Sequence, residues 1–162
     1  MRPVITPAES ARLDAASTTP VSVLMDRAGY AFALAAARNG AAYGKRVVVL
    51  AGPGNNGGDG LEAAVQLHQR GQKVVVVLWQ TQKRSADSEA ALKKVLDLGI
   101  ALVSQLDSTQ SIPSSDLVID ALLGIGLRNQ NTASENANID EVPSMLAWIE
   151  AAYQSDAAVL AV

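Results

Sequence analysis

The sequence contains no cysteine, which excludes disulfides, thiolate nucleophiles and thiolate-bound metals. It has no run of about 18 or more apolar residues, so it offers no candidate membrane span. The amino terminus carries only Arg2 before polar residues and lacks the apolar core of a secretory signal. Charge of neither sign dominates: 13 Lys and Arg face 16 Asp and Glu, for a net charge of −3. That balance gives no electrostatic case for broad nucleic-acid binding. There is no internal repeat and no low-complexity tract. What remains is a chain of 162 residues, 49% hydrophobic and 18% charged, which is the composition of one globular domain with a substantial core. A cytoplasmic setting fits these features.

The stretch of greatest chemical interest is Gly52-Pro53-Gly54-Asn55-Asn56-Gly57-Gly58-Asp59-Gly60. The apolar run 47–51 precedes it and an amphipathic segment, 61–70, follows. The order is therefore strand, glycine loop, helix. The strand is apolar without alternation, as expected of one buried on both faces. Five glycines in nine positions allow positive φ and close approach of the backbone to a ligand. Asp59 is placed to cap the following helix, whose first free N–H groups form an anion site suited to phosphate. A plain tight turn would also use glycine. The loop is not a Walker loop, because no Gly-Lys-Ser/Thr follows, and its spacing differs from G-x-G-x-x-G. The doubled Asn distinguishes it. Asn55 and Asn56 bring neutral carbonyl oxygens and amide donors together, suited to a sugar–phosphate or a weakly held cation.

Along the chain, Thr6-Pro7-Ala8-Glu9 reads as a capping box opening a helix to about residue 16. Thr19-Pro20 repeats the start signal for a longer helix ended by Asn39-Gly40. Ala28-Gly29 permits close helix packing, and this first helix pair is also a candidate subunit interface. Gly71 ends the glycine-loop helix. Residues 74–79 form a second strand, Ser85 begins a helix that ends at Gly99, and 100–103 and 116–120 are further strands. Residues 128–138 are polar and read as an exposed loop. Pro143 starts the last helix, and 157–162 form a final strand. Strands alternating with helices imply a mostly parallel sheet with helices on both faces. Ligands of such sheets bind outside the carboxyl ends of the strands. Those ends carry the loops beginning at Gly52 and at Asp120, which are expected to lie side by side in one pocket. The lone histidine, His68, falls at helical spacing with Leu61, Ala64 and Val65, and reads as a packing or surface residue rather than a catalyst.

Two segments together, Gly54-Asn55-Asn56-Gly57-Gly58-Asp59-Gly60 and Asp120-Ala121-Leu122-Leu123-Gly124-Ile125-Gly126-Leu127, resemble the YjeF N-terminal domain family of NAD(P)H-hydrate epimerases. Leu24-Met25-Asp26-Arg27-Ala28-Gly29 is similar to the family's Leu-Met-Glu-x-Ala-Gly segment. The resemblance runs over nearly the whole chain. It implies a Rossmann-like three-layer α/β/α sandwich, often a homodimer. The implied activity interconverts the R and S hydrates of NADH and NADPH, so that a fused or separate dehydratase specific for S can repair both. It implies substrate contacts from Asn55, Asn56, Gly57, Gly58 and Asp59 on one side. Gly124, Ile125, Gly126, Leu127, Arg128, Asn129 and Gln130 form the other. A potassium ion would be held by Asn56 and Asp120, although Asp120 also suits a plain cap on the turn after it. The family continues into Asp-Ile-Pro-Ser-Gly, whose Asp is the candidate acid–base group and whose Ser helps hold potassium. This sequence ends at Ala161-Val162 before that segment, so the expectation is an incomplete domain with no catalytic residue assignable within it. Two alternatives keep the fold without the chemistry: an interaction scaffold, as in an mRNA-decapping protein and the apolipoprotein A-I binding protein, or a nucleotide-sensing module.

Overall fold

The computed structural model describes residues 6–79, 84–104, 112–124 and 142–162. Its elements in chain order are α1 (Pro7–Ala16), α2 (Val21–Arg38), β1 (Arg46–Ala51), α3 (Asn55–Gln69) and β2 (Lys73–Leu78), followed by α4 (Ala86–Asp97), β3 (Ala101–Val103), β4 (Leu117–Ala121), α5 (Val142–Tyr153) and β5 (Ala158–Ala161). The strands form one sheet in the order β3-β2-β1-β4-β5, every neighbouring pair parallel.

Parallel strands need crossover segments, and the crossovers cover both faces. In β1 the side chains alternate between two apolar layers. Val47, Val49 and Ala51 face Ala63, Ala64 and Leu67 of α3, with Ala91 and Val95 of α4 and Ala33 of α2 in the same layer. Val48 and Leu50 face the opposite way, toward Trp148 and Ala152 of α5. Fully buried valines and leucines of this kind contribute about 1.5–3 kcal/mol each by leaving water. The three-layer α/β/α reading is thus realised, with β1 at the centre.

The helix signals are mostly realised. Thr6 and Glu9 form the reciprocal capping box: the Thr6 N–H donates to Glu9 Oε2 at 2.7 Å and the Glu9 N–H to Thr6 Oγ1 at 3.2 Å. These bonds hold the Glu9 carboxyl below its usual pKa, the backbone donor contributing most. Helices α2, α3 and α4 are followed by Gly40, Gly71 and Gly99, all at positive φ. Gly29 lets α2 meet α3 so closely that a Cβ there would strike Glu62.

The second start signal works differently from the expectation. Pro20, at φ −55° and ψ 142°, is itself the N-cap of α2, and among the described residues no side chain caps the helix. The Pro20 carbonyl accepts from the N–H groups of Val23 and Leu24 at 3.0 and 3.1 Å. Its extended ψ shifts the helix start one residue later, to Val21.

Candidate functional site

In the order β3-β2-β1-β4-β5 the chain reverses direction across the sheet between β1 and β4, and the crevice at such a switch point is where α/β sheets bind ligands. The register pairs Leu50 with Asp120 and Ala51 with Ala121, so Gly52 and Leu122 emerge side by side. The Gly52 N–H donates to Ala121 O at 3.0 Å, extending the ladder past the strand ends. A side chain on Gly52 would collide with the Leu122 carbonyl. The two marked loops therefore adjoin, as expected from their positions at strand ends.

The glycine stretch divides differently from the reading by residue type. Only Gly52-Pro53-Gly54 is loop, and α3 begins at Asn55 with Gly54 as its N-cap. Asn55, Asn56, Gly57, Gly58 and Asp59 are thus the opening turns of the helix. Asp59 is its fifth residue and cannot cap it, contrary to the expectation. None of the five glycines in this stretch has positive φ. Their absent side chains serve close approach instead. A Cβ on Gly57 would strike the Gly52 carbonyl oxygen, one on Gly58 would lie 2.5 Å from Met25 Cε, and one on Gly60 would lie 2.5 Å from Ala121 Cβ. Glycine and Asn are poor helix formers, but packing of the turn against β1, β4 and α2 overrides that local preference.

The side chains then join three segments. Asn56 is half-buried and its Nδ2 donates to Leu123 O at 3.3 Å, tying α3 to the loop after β4. Gly124 lies against the same side chain, a Cβ there falling 3.3 Å from Asn56 Cβ. Asp120 is half-buried, and burial raises its carboxyl pKa against the lowering effect of the Leu122 N–H. That N–H donates to Asp120 Oδ1 at 3.1 Å, so the turn-capping role is present. Asn55 is exposed and accepts from Ser85 Oγ at 2.9 Å. Ile125, Gly126, Leu127, Arg128, Asn129 and Gln130, with the polar loop 128–138, lie outside the described residues. His68 is exposed on α3, a surface residue.

One residue was not singled out by the sequence. Arg84, half-buried before α4, donates from Nη1 to Gly52 O at 2.5 Å and from Nη2 to Trp79 O at 3.0 Å. Burial lowers its pKa, with Glu89 opposing the shift. The one available signal was an arginine immediately before a helix-capping serine. Its target lies 32 positions away and could not be named without the fold.

Asn56 and Asp120 suit a hard monovalent cation by donor chemistry. With Nδ2 directed at Leu123 O, the Asn56 amide retains Oδ1 as a neutral oxygen ligand, and a cation would offset the burial that disfavours ionised Asp120. Among the described residues, no cluster of three or more His, Cys, Asp or Glu could hold a metal, and no helix is long and apolar enough to cross a membrane.

A yeast protein of known crystal structure, ynu0, has the same fold, with a TM-score of 0.74 at 21% identity, covering 99% of this chain and 70% of its own. In sequence, the chain is 34% identical over 122 residues to the NAD(P)H-hydrate epimerase of Oenococcus oeni, covering 75% of this chain and 57% of that protein. It is 42% identical over 110 residues to the bifunctional NAD(P)H-hydrate repair enzyme Nnr of Hyperthermus butylicus, covering 65% of this chain and 20% of that protein. The chain thus spans little more than half the length of the first relative and a fifth of the second. Residues 21–162, from the first turn of α2 onward, match the family described as YjeF-related protein N-terminus, and the chain belongs to that family.

Proposed function

We propose that this chain carries the substrate site of an NAD(P)H-hydrate epimerase, which interconverts the R and S hydrates of NADH and NADPH. The observation that carries the reading is the Asn55–Asp59 segment, packed as the first turns of α3 against the loop after β4. Relatives that share this family bear the epimerase or repair-enzyme name. The N-terminal amides of α3 lack intrahelical acceptors and favour a pyrophosphate, while Asn55 and Asn56 add neutral polar groups beside it. Gly124 to Gln130 would form the facing wall. Asn56 Oδ1 and the Asp120 carboxylate would hold a potassium ion, supplying positive charge next to the phosphates. Relatives named bifunctional accord with a companion repair activity that consumes the product, and a homodimer is part of the same proposal.

The substrate itself does much of the chemistry. C6 of the hydrate carries both a hydroxyl and the ring nitrogen. Protonation lets the hydroxyl leave as water while the nitrogen lone pair forms the C6–N double bond. Water adding to the opposite face, with loss of a proton, gives the other epimer. The site's task is to hold the ring for one acid–base exchange and to let water reach either face. Oxygen from labelled water should enter C6 at the rate of epimerisation; retention of the original oxygen would replace this route with ring opening.

The direct test is calorimetric binding of NADPH hydrate in potassium and in sodium buffer. The expected result is binding that is tighter in potassium, with Asn56→Ala weakening it about tenfold, the size of one lost hydrogen-bonding or ion-holding group. Equal affinities in the two buffers would remove potassium from the site. No binding in either buffer would overturn the substrate assignment.

A further inference from the structure

We propose that Arg84 and Ser85, the two residues leading into α4, are positioning residues for this site: together they clamp the Gly52 turn and orient Asn55, without contacting the reacting atoms. The proposal rests on the substrate reading above for its binding consequence, but not for its geometry.

The Arg84 guanidinium spans two carbonyls at the ends of neighbouring strands. Nη1 reaches Gly52 O just beyond β1, and Nη2 reaches Trp79 O just beyond β2. A third contact, Nη1 to Ser88 Oγ at 3.4 Å, anchors the same head to α4. Gly52 O is also the atom that a Cβ on Gly57 would strike. The carbonyl therefore accepts from the guanidinium and lies close against the first turn of α3. If it swings, the direction in which α3 leaves the sheet changes with it.

The next residue works on the helix start itself. Ser85 Oγ accepts from the Ser88 N–H at 3.3 Å as the N-cap of α4, and donates to Asn55 Oδ1 at 2.9 Å. An exposed Asn at the first position of a helix would otherwise sample several rotamers. With its oxygen engaged by Ser85, the amide directs its Nδ2 donors away from α4. The clamp thus fixes both the backbone of the turn and the polarity of the first Asn. Lysine cannot replace Arg84 here, because a single ammonium does not present the planar fork that spans two carbonyls.

The test uses the full chain with Arg84→Lys, Arg84→Met, Ser85→Ala and Ser85→Thr, read by calorimetric binding of NADPH hydrate and by amide hydrogen exchange. Arg84→Met is expected to bind about tenfold or more weakly, the range for hydrogen bonds made by a charged group. Arg84→Lys should not restore affinity. Ser85→Ala should bind several-fold more weakly, and Ser85→Thr, which keeps the hydroxyl, should restore it. The first hydrogen-bonded amides of α3, beginning with the Gly58 N–H on Gly54 O, should exchange faster in both Arg84 variants while those of β4 stay protected, which a general loss of stability would not produce. Wild-type affinity together with wild-type exchange at Gly58 and the next α3 amides in Arg84→Lys or Arg84→Met overturns the clamp. If the unaltered chain binds no hydrate, the substrate reading falls, and the exchange pattern alone still decides for or against the clamp. If Arg84→Met does not fold, Arg84→Lys and the Ser85 pair carry the same comparison.

Discussion

A methyl group on Gly57 would land on the Gly52 carbonyl oxygen, whereas one on Gly54 would meet nothing within 4 Å. The two glycines lie three positions apart, yet the structure asks different things of them. Gly54 is the N-cap of α3, where alanine is only a poorer cap. Gly57 is a point of backbone contact between the helix and the end of β1, where the obstructing atom is main chain and cannot rotate away. Gly57→Ala is therefore expected to cost about 2–3 kcal/mol, at the upper end for overpacking, and Gly54→Ala no more than about 1 kcal/mol. Urea denaturation of the two variants checks this. Equal losses would show that the turn yields easily and that the close approach is not what requires glycine at position 57.

At the scale of elements, α3 is clasped by α2 and α4, and Glu62 marks where the three meet. Its side chain is 4% exposed, pairs through Oε1 with Lys94 Nζ at 2.5 Å, and leaves Oε2 buried with no hydrogen-bond partner among the described residues. The Lys94 end is 49% exposed, so water screens the pair from one side only. Lys94→Met, which leaves a buried carboxylate without its cation, should lose about 1–3 kcal/mol, below the full range for a wholly buried pair because of that exposure. Glu62→Met, similar in shape and uncharged, should be neutral or stabilising, and thermal melts of the two variants decide it. A larger loss from Glu62→Met than from Lys94→Met would mean that the carboxylate is bonded in a way the pairing does not describe. This junction also shows where sequence reading stops. The strands were legible because the apolar runs of β1, β2 and β4 carry no alternation, and the helix ends because Gly40, Gly71 and Gly99 stand where positive φ is needed. Parallel topology alone put the Gly52 and Asp120 loops at the same end of the sheet, and the pairing of β1 with β4 makes them neighbours. The start of α3 was misplaced because Asn and Gly look like loop residues, while their smallness serves contacts with β1, β4 and α2. Asp59 consequently looked like a cap. Glu62 gave no signal and Arg84 only its place before a capping serine, since Lys94 and Gly52, the partners that give them their roles, each lie 32 positions away.

For the molecule as a whole, the sheet has a working end and a fastening end. The carboxyl ends of β1 and β4 carry the candidate site, and their amino ends are tied by Asp116. Asp116 Oδ2 accepts from the Arg46 N–H at 2.8 Å and Oδ1 from Lys45 Nζ at 3.1 Å, while the Asp116 N–H donates to Arg46 O at 2.9 Å. The backbone hydrogen bond from Arg46, followed by the side-chain hydrogen bond from Lys45, holds the Asp116 carboxyl below the ordinary value of 3.8. A carboxyl whose folded pKa is depressed binds fewer protons in the native state than in the unfolded chain. Its contribution is therefore present above about 3.8, the unfolded value, and disappears as pH falls through the lower folded value. Asp116→Asn removes the titration but keeps one oxygen acceptor. The wild type should melt above this variant at pH 6, and the difference should shrink as pH falls below about 3.8, because only the wild type loses a charge there. Since Asp116 lies at the opposite end of β4 from Asp120, hydrate affinity at pH 7 should be the same in both proteins. A melting difference that stays constant down to pH 2.5 would assign the fastening to the neutral hydrogen bonds alone, whereas a change in affinity would mean that the two ends of the sheet are mechanically linked through β1 and β4.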